Sequence, residues 1–266
     1  MKLYHTVISP FSRKCRILAR ELKIIEDIDE IITTMRSTDS IIMSINPTGK
    51  VPAIITNEEQ LITESYAICN YLEKIANTNI NSNNNYDNWK INGYETVACQ
   101  VLESIVYRSI EKKNKPKDFI YKATTDYEKF KVNRALDFLE KKAPEYNSNI
   151  NRVQITICLA FNTMYKNFPE ENWKENRPLL NSLVETFKQR ESFIDTKDGA
   201  SAQDNWYATL FHEMVHSTGH KDRLNRLKGA RFGSKDYAFE ELVAEFGAVM
   251  VCGAAGLFVS PPANHH

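Results

Sequence analysis

The sequence predicts an α/β unit, then an all-α unit, then a short helical tail, and three observations carry that reading. Strand and helix patterns interleave over residues 1–75. Helical apolar spacing then runs almost unbroken from Trp89 to about Arg190. The tail, 196–266, changes character again, with two helical stretches joined by a basic loop.

KLYHTV is a short strand of alternating apolar residues, and SPFSRKCRILARELKI is a helix opened by Ser9-Pro10. Proline suits a helix start because its missing N–H would have no intrahelical partner there. DEIITT is a second strand, NPTGKVPAIIT a turn and a strand, and LITESYAICNYLEKI a strand end followed by a helix. Such interleaving is the pattern of an α/β unit, placed at 1–78. INSNNNYDN is polar and aperiodic, so 79–88 reads as a linker. In 89–195, VACQVLESIVYRSI, FKVNRALDFLEKK and VQITICLAFNTMY carry apolar residues at i, i+3, i+4, and Asn151 with Gln154 makes a capping box before the last. The tail's helices are YATLFHEMVHS and KDYAFEELVAEFGAVMVCG.

With 34 basic and 34 acidic residues, no global field points toward nucleic acid or an anionic membrane. The 5 cysteines are odd in number, scattered and without a CxxC pair, which argues for a reducing compartment rather than a disulfide framework. No apolar run has the length of a signal peptide or membrane span, so the expectation is a cytoplasmic protein without membrane partners.

Three features of the first 75 residues belong together. Ser9 lies at a helix N-terminus, where backbone N–H groups and the helix dipole favour an anion. Val51-Pro52 falls between a turn and a strand, where a cis proline would present the Val51 backbone. Glu64-Ser65 precedes a helix that Ser65 can cap. Taken singly, each also has a purely structural reading, since Ser-Pro is a common cap.

In order and spacing, SPFSRKCR, NPTGKVPAI and TESYAICNYLE resemble the thioredoxin-like N-terminal domain of bacterial glutathione transferases, and 89–195 resembles their all-helical C-terminal domain. The resemblance implies glutathione as substrate, with a small electrophile and a homodimer through the transferase domains. It implies that Ser9 donates its hydroxyl to the glutathione sulfur, with Ser12, one turn on, as competitor. It places Val51 against the cysteinyl backbone with Pro52 cis, Glu64 and Ser65 on the γ-glutamyl end, and Lys50 toward the glycyl carboxylate. A hydroxyl donor and a helix N-terminus both favour thiolate, the nucleophile, over thiol.

In the tail, His212-Glu213-x-x-His216 sets two imidazoles one helical turn apart, the spacing at which both reach one metal ion. Glu213 between them is placed to take a proton from metal-bound water. Tyr207, Leu210, Phe211 and Met214 form an apolar stripe opposite the histidines, which reads as the core-facing side of the helix. Catalytic zinc usually takes a third protein ligand, and FEELVAEF offers Glu241, with Glu240 the runner-up and Glu245 beside it to hold a zinc-bound histidine. On that helix Phe239, Leu242, Val243, Phe246 and Met250 read as the buried stripe. His220 reads as a residue past a helix end, and His265-His266 receive no role.

The tail resembles the zincin-type metallopeptidase region of ArdC-like plasmid antirestriction proteins, through TLFHEMVHSTGH, RLNR, RFGS and YAFEELVAEFGA. The single-stranded-DNA-binding domain of that family has no counterpart here. Three functions follow as expectations: a glutathione transferase carrying a zinc-binding segment, a zinc metallopeptidase with the transferase part as scaffold, and a non-catalytic adaptor. The basic loop HKDRLNRLKGAR reads as solvated surface, against a nucleic-acid partner.

Overall fold

The structure is a computed structural model that describes residues 1–35, 37–81, 89–116, 119–197, 202–220, 222–226 and 235–254, with the side chains of 202–209, 235–238 and 245 outside the description. The chain divides into two compact units, residues 1–194 and 195–266.

The first unit opens with strand β1 (Lys2–His5), helix α1 (Pro10–Glu21), β2 (Asp29–Ile32), a short helix α2 (Ile41–Ile45), β3 (Ala53–Ile55), β4 (Leu61–Thr63) and α3 (Ser65–Ile75). The sheet order is β2-β1-β3-β4, with β1 and β2 parallel and the other pairs antiparallel. Because side chains alternate across a strand, Leu3 and Ile54 enter the core with α1 and α3, while Tyr4 and Ala53 pack with Ile42 of α2 on the opposite face. This is a thioredoxin-like sheet.

The helical part comprises α4 (Trp89–Asn114), α5 (Lys122–Lys142), α6 (Arg152–Asn167), α7 (Pro178–Phe187) and α8 (Glu191–Ile194). Helix α6 is buried from Arg152 through Phe161 and packs on α1, α4 and α7. A helix apolar around nearly its whole circumference belongs at the centre of a bundle. Its cap is half of the predicted box: Asn151 accepts from the Gln154 backbone N–H at 3.1 Å, but the Gln154 side chain donates to Tyr146 O instead of returning to Asn151.

Charges are buried at the seam of α1, α3, α4 and α6. Lys14 Nζ meets Glu95 at 2.6 Å, and Arg152 reaches Glu95 at 2.9 Å and Glu73 at 3.3 Å. Two cations face two carboxylates, with Asn81 and Asn70 adding hydrogen bonds and Arg152 Nε left without one. Burial opposes the Lys14 ammonium, yet the ion pair with the Glu95 carboxylate holds its pKa above the ordinary range.

The second unit pairs α9 (Ala202–Thr218) with α10 (Lys235–Ala254), and among the described residues it holds no strand. Its packing overturns the apolar-stripe expectation for most of its members, while Phe211 and Val243 are half-buried. Phe239 (65% exposed), Phe246 (64%) and Met250 (75%) face outward, as do Leu242, Leu210 and Met214. The Tyr207 side chain lies outside the described residues. Glu240, Ala244, Ala248 and Cys252 are buried instead, and Gly247 lies so close to α9 that an added Cβ would sit 2.6 Å from Val215 Cγ2. Small residues let the two backbones approach, so the helices meet through the polar side that carries the histidines. Among the described residues no helix is long and apolar enough to cross a membrane.

Candidate functional site

Strand register brings the first constellation to one end of the sheet. Tyr4 pairs with Ala53, which pairs with Thr63. The chain leaving β1 toward Ser9, the chain entering β3 through Val51-Pro52, and the chain leaving β4 into Glu64-Ser65 therefore share that end. The Val51–Pro52 peptide bond is cis. Asn46, fully buried, ties the preceding turn to this end by donating to Lys50 O at 2.8 Å and Thr63 Oγ1 at 2.9 Å. Gly49 is required in that turn: its φ is +62°, and a Cβ would lie 2.6 Å from Met43 Sδ.

Ser9 caps α1, its Oγ accepting from the Ser12 N–H at 3.2 Å, which leaves the hydroxyl proton to donate elsewhere. Ser12 is wholly buried, and its Oγ has no hydrogen-bond partner. The cap of α3 differs from expectation. Glu64, not Ser65, is the N-cap, accepting from the Tyr66 N–H at 2.9 Å while the Ser65 hydroxyl donates to its carboxylate at 3.1 Å. Ser65 is the first helical residue and is buried. Glu64 has φ +74°, a strained value for a residue with a side chain, and such strain concentrates at functional positions. Lys50 is exposed. Helix α4 adds a residue the sequence did not mark: Glu103, whose carboxyl is pushed up by partial burial and then by Glu64, with Lys50 pulling it down.

In the second unit, His212, His216 and Glu241 form the group of metal-ligating atoms found among the described residues. His212 Nε2 and His216 Nε2 are 3.0 Å apart, His212 Nε2 lies 3.5 Å from Glu241 Oε2, and His216 Nε2 lies 3.5 Å from Glu241 Oε1. A tetrahedral zinc bound at ordinary Zn–N and Zn–O lengths separates its ligand atoms by about 3.3 Å. Two imidazoles and a carboxylate at this spacing fit that ion. Glu213 is exposed on the same helix.

Glu240 stands behind His216 instead of beside the ligand atoms. Its Oε1 is 3.6 Å from His216 Nδ1, and both its oxygens accept from Arg226 at 3.0 Å. The guanidinium holds the Glu240 carboxyl below its usual range. Glu245 lies one turn past Glu241, with its side chain outside the described residues. His220 is exposed and pairs with Asp222 at 3.4 Å. Arg226 was hidden in the sequence within a loop that reads as merely basic.

Comparison with known proteins matches both regions. Residues 3–80 match the glutathione S-transferase N-terminal domain, and residues 186–266 match the zincin-like metallopeptidase family. The uncharacterized GST-like protein YibF of Escherichia coli (strain K12) is 29% identical over 203 residues, 74% of this chain and 98% of its own. A glutathione transferase family member from Pseudomonas fluorescens Pf-5, solved with bound glutathione, superposes with a TM-score of 0.69 at 22% identity, over 74% of this chain and 98% of that one. At that identity the likeness speaks for the fold. The DNA primase TraC of Escherichia coli is 45% identical over 58 residues, which are 22% of this chain but only 6% of the primase. The chain thus joins a glutathione S-transferase-like region to a zincin-like metallopeptidase region.

Proposed function

We propose that the first unit binds glutathione and presents its thiolate to a small electrophile, and that the second holds zinc through His212, His216 and Glu241. The observation that carries the first half is the convergence of the α1 N-terminus, Val51 and the Glu64-Ser65 cap at one sheet end. Ser9 supports the sulfur, because its hydroxyl caps the first turn of the helix with a proton left to donate, whereas Ser12, one turn on, is 0% exposed against 7% for Ser9. Glu64 and Ser65 take the γ-glutamyl end, Val51 the cysteinyl backbone beside Pro52, and Lys50 the glycyl carboxylate. The glutathione-bound relative supports the same ligand. We take the unit to act as a homodimer in the cytoplasm, in keeping with its transferase resemblance.

Titrating the bound thiol through the ultraviolet absorbance of its thiolate tests this reading. In Ser9→Ala the thiol pKa should rise by roughly one to two units, the equivalent of one hydrogen bond to a charged group. An unchanged titration, or no glutathione binding by the parent protein, would sink it.

For the second half, zinc when bound supplies a Lewis acid that lowers the pKa of a coordinated water. Glu213, exposed next to His212, would be the carboxylate to take a proton there. This supports a second reading, peptide hydrolysis, which zinc-dependent cleavage lost in Glu213→Gln would bear out. Elemental analysis of the purified chain comes first, with about one zinc per chain expected and removal by chelator.

A further inference from the structure

The chemistry of His216 depends on which ring nitrogen carries its proton, and Arg226 and Glu240 bear on that choice. His216 Nε2 faces His212 and Glu241, while its Nδ1 faces Glu240 Oε1 at 3.6 Å. Glu240 is 3% exposed, so its charge needs a partner, and Arg226 supplies a two-pronged one with Nε to Oε2 and Nη2 to Oε1, each at 3.0 Å. The same Nη2 also donates to Val215 O at 3.0 Å, one residue before His216. Arg226 itself is held by its backbone N–H on Gly219 O at 3.0 Å, after Leu224 N–H bonds Thr218 O and Asn225 turns the chain at φ +49°. A single guanidinium thus ties the carboxylate of α10 to the backbone of α9 beside the histidine.

We propose that Arg226 and Glu240 are positioning residues of the metal centre: the Arg226-clamped carboxylate of Glu240 accepts the Nδ1–H of His216 and so fixes the ring with Nε2 turned to the metal. This rests on the zinc reading of His212, His216 and Glu241. A carboxylate behind a ligating imidazole selects its tautomer, restrains its rotation and raises its basicity. An absent acceptor leaves either nitrogen open to the ion, and a neutral one fixes the ring less firmly.

The test measures affinity for zinc ion alone, by competition with a chromophoric chelator, in the full chain and in Glu240→Ala, Glu240→Gln, Arg226→Ala and Arg226→Lys. Nitrogen NMR of the imidazoles in the zinc-loaded protein reads the tautomer of His216, which a purely structural ion pair would not alter. Glu240→Ala should bind zinc about 10- to 100-fold more weakly and lose the uniform Nδ1–H form of His216. Glu240→Gln, matched in volume, should fall between it and the parent, and it decides the matter should the alanine variant lose helicity. Arg226→Lys should recover part of the loss seen in Arg226→Ala. Parent-like affinity and tautomer in Glu240→Gln and Arg226→Ala would overturn the proposal while leaving the zinc reading intact. A parent protein that binds no zinc, or that binds it equally after His212→Ala, would overturn both.

Discussion

In residues 1–194 the buried charges of Lys14, Glu95, Arg152 and Glu73 are wrapped in a large apolar core, whereas in 195–266 the buried Glu240 sits between two helices from which Met214, Phe239, Phe246 and Met250 face outward. In the first unit the polar cluster completes a structure already held by Leu3, Ile17, Leu72, Leu102, Phe161 and their neighbours. In the second, the histidines and carboxylates of the candidate metal site lie at the meeting surface, where, among the described residues, Ala244, Gly247, Ala248 and Cys252 allow close approach. A polar site can thus be an inclusion in a core or can take the place of one.

The largest expected effect breaks the first side of the comparison. Glu95→Ala leaves Lys14 and Arg152 buried without their shared carboxylate, and should cost roughly 3–5 kcal/mol in denaturant unfolding. A loss under about 1 kcal/mol would mean that the cluster relaxes toward water and is no true inclusion.

Next comes a pH effect in the same unit. His5 is 2% exposed, and burial, then the Arg16 charge, lower its pKa from 6.5 to about 4. Between those values the unfolded chain binds a proton that the folded chain refuses, so its stability contribution is complete above about 6.5 and is lost as pH falls toward about 4. The loss should be on the order of 3 kcal/mol, and His5→Leu should flatten the curve across this window. Glu30 acts in a lower window. Burial raises its pKa, but the Arg20 and Arg16 guanidinium groups win and bring it to about 2, so its contribution is lost as pH falls from about 4.5 through about 2.

Gly247→Ala sharpens the second side. The new methyl meets Val215, a stiff branched side chain, and should weaken the α9–α10 pairing by about 1–3 kcal/mol. This would be read as a roughly 5- to 150-fold fall in zinc affinity by chelator competition. The smallest effect is expected at Phe246→Gln, below about 0.5 kcal/mol, because that ring is exposed. A larger loss would show that something covers the outward stripe in solution.

Legibility divided along the same line. The cis Val51–Pro52 bond was expected only from the family resemblance, whereas the Ser9 cap of α1 and the α6 cap on Asn151 rest on local residue chemistry and stood in the sequence. The α3 cap did not, because Glu64 and Ser65 both suit a helix start, and the left-handed turn that selects Glu64 comes from the strand before it. In the tail the shared face of His212 and His216 was legible from helical spacing, since residues one turn apart share a face whatever surrounds them, whereas the sequence left Glu241 and Glu240 of the other helix as alternatives. The buried face was misread, because periodicity shows that a helix has two sides without saying which side finds a partner.

By itself, then, the sequence determined what repeats along the chain: the interleaved strands and helices, the long helical stretch, and the one-turn spacing of His212 and His216. Only the tertiary structure decided what depends on residues far apart. It set the Tyr4–Ala53–Thr63 register that gathers three loops at one sheet end, the approach of Gly247 to Val215, and the placing of Glu240 and Arg226 behind His216. Spacing is a property of one element, whereas contact between elements is a competition among all the faces the chain can bury.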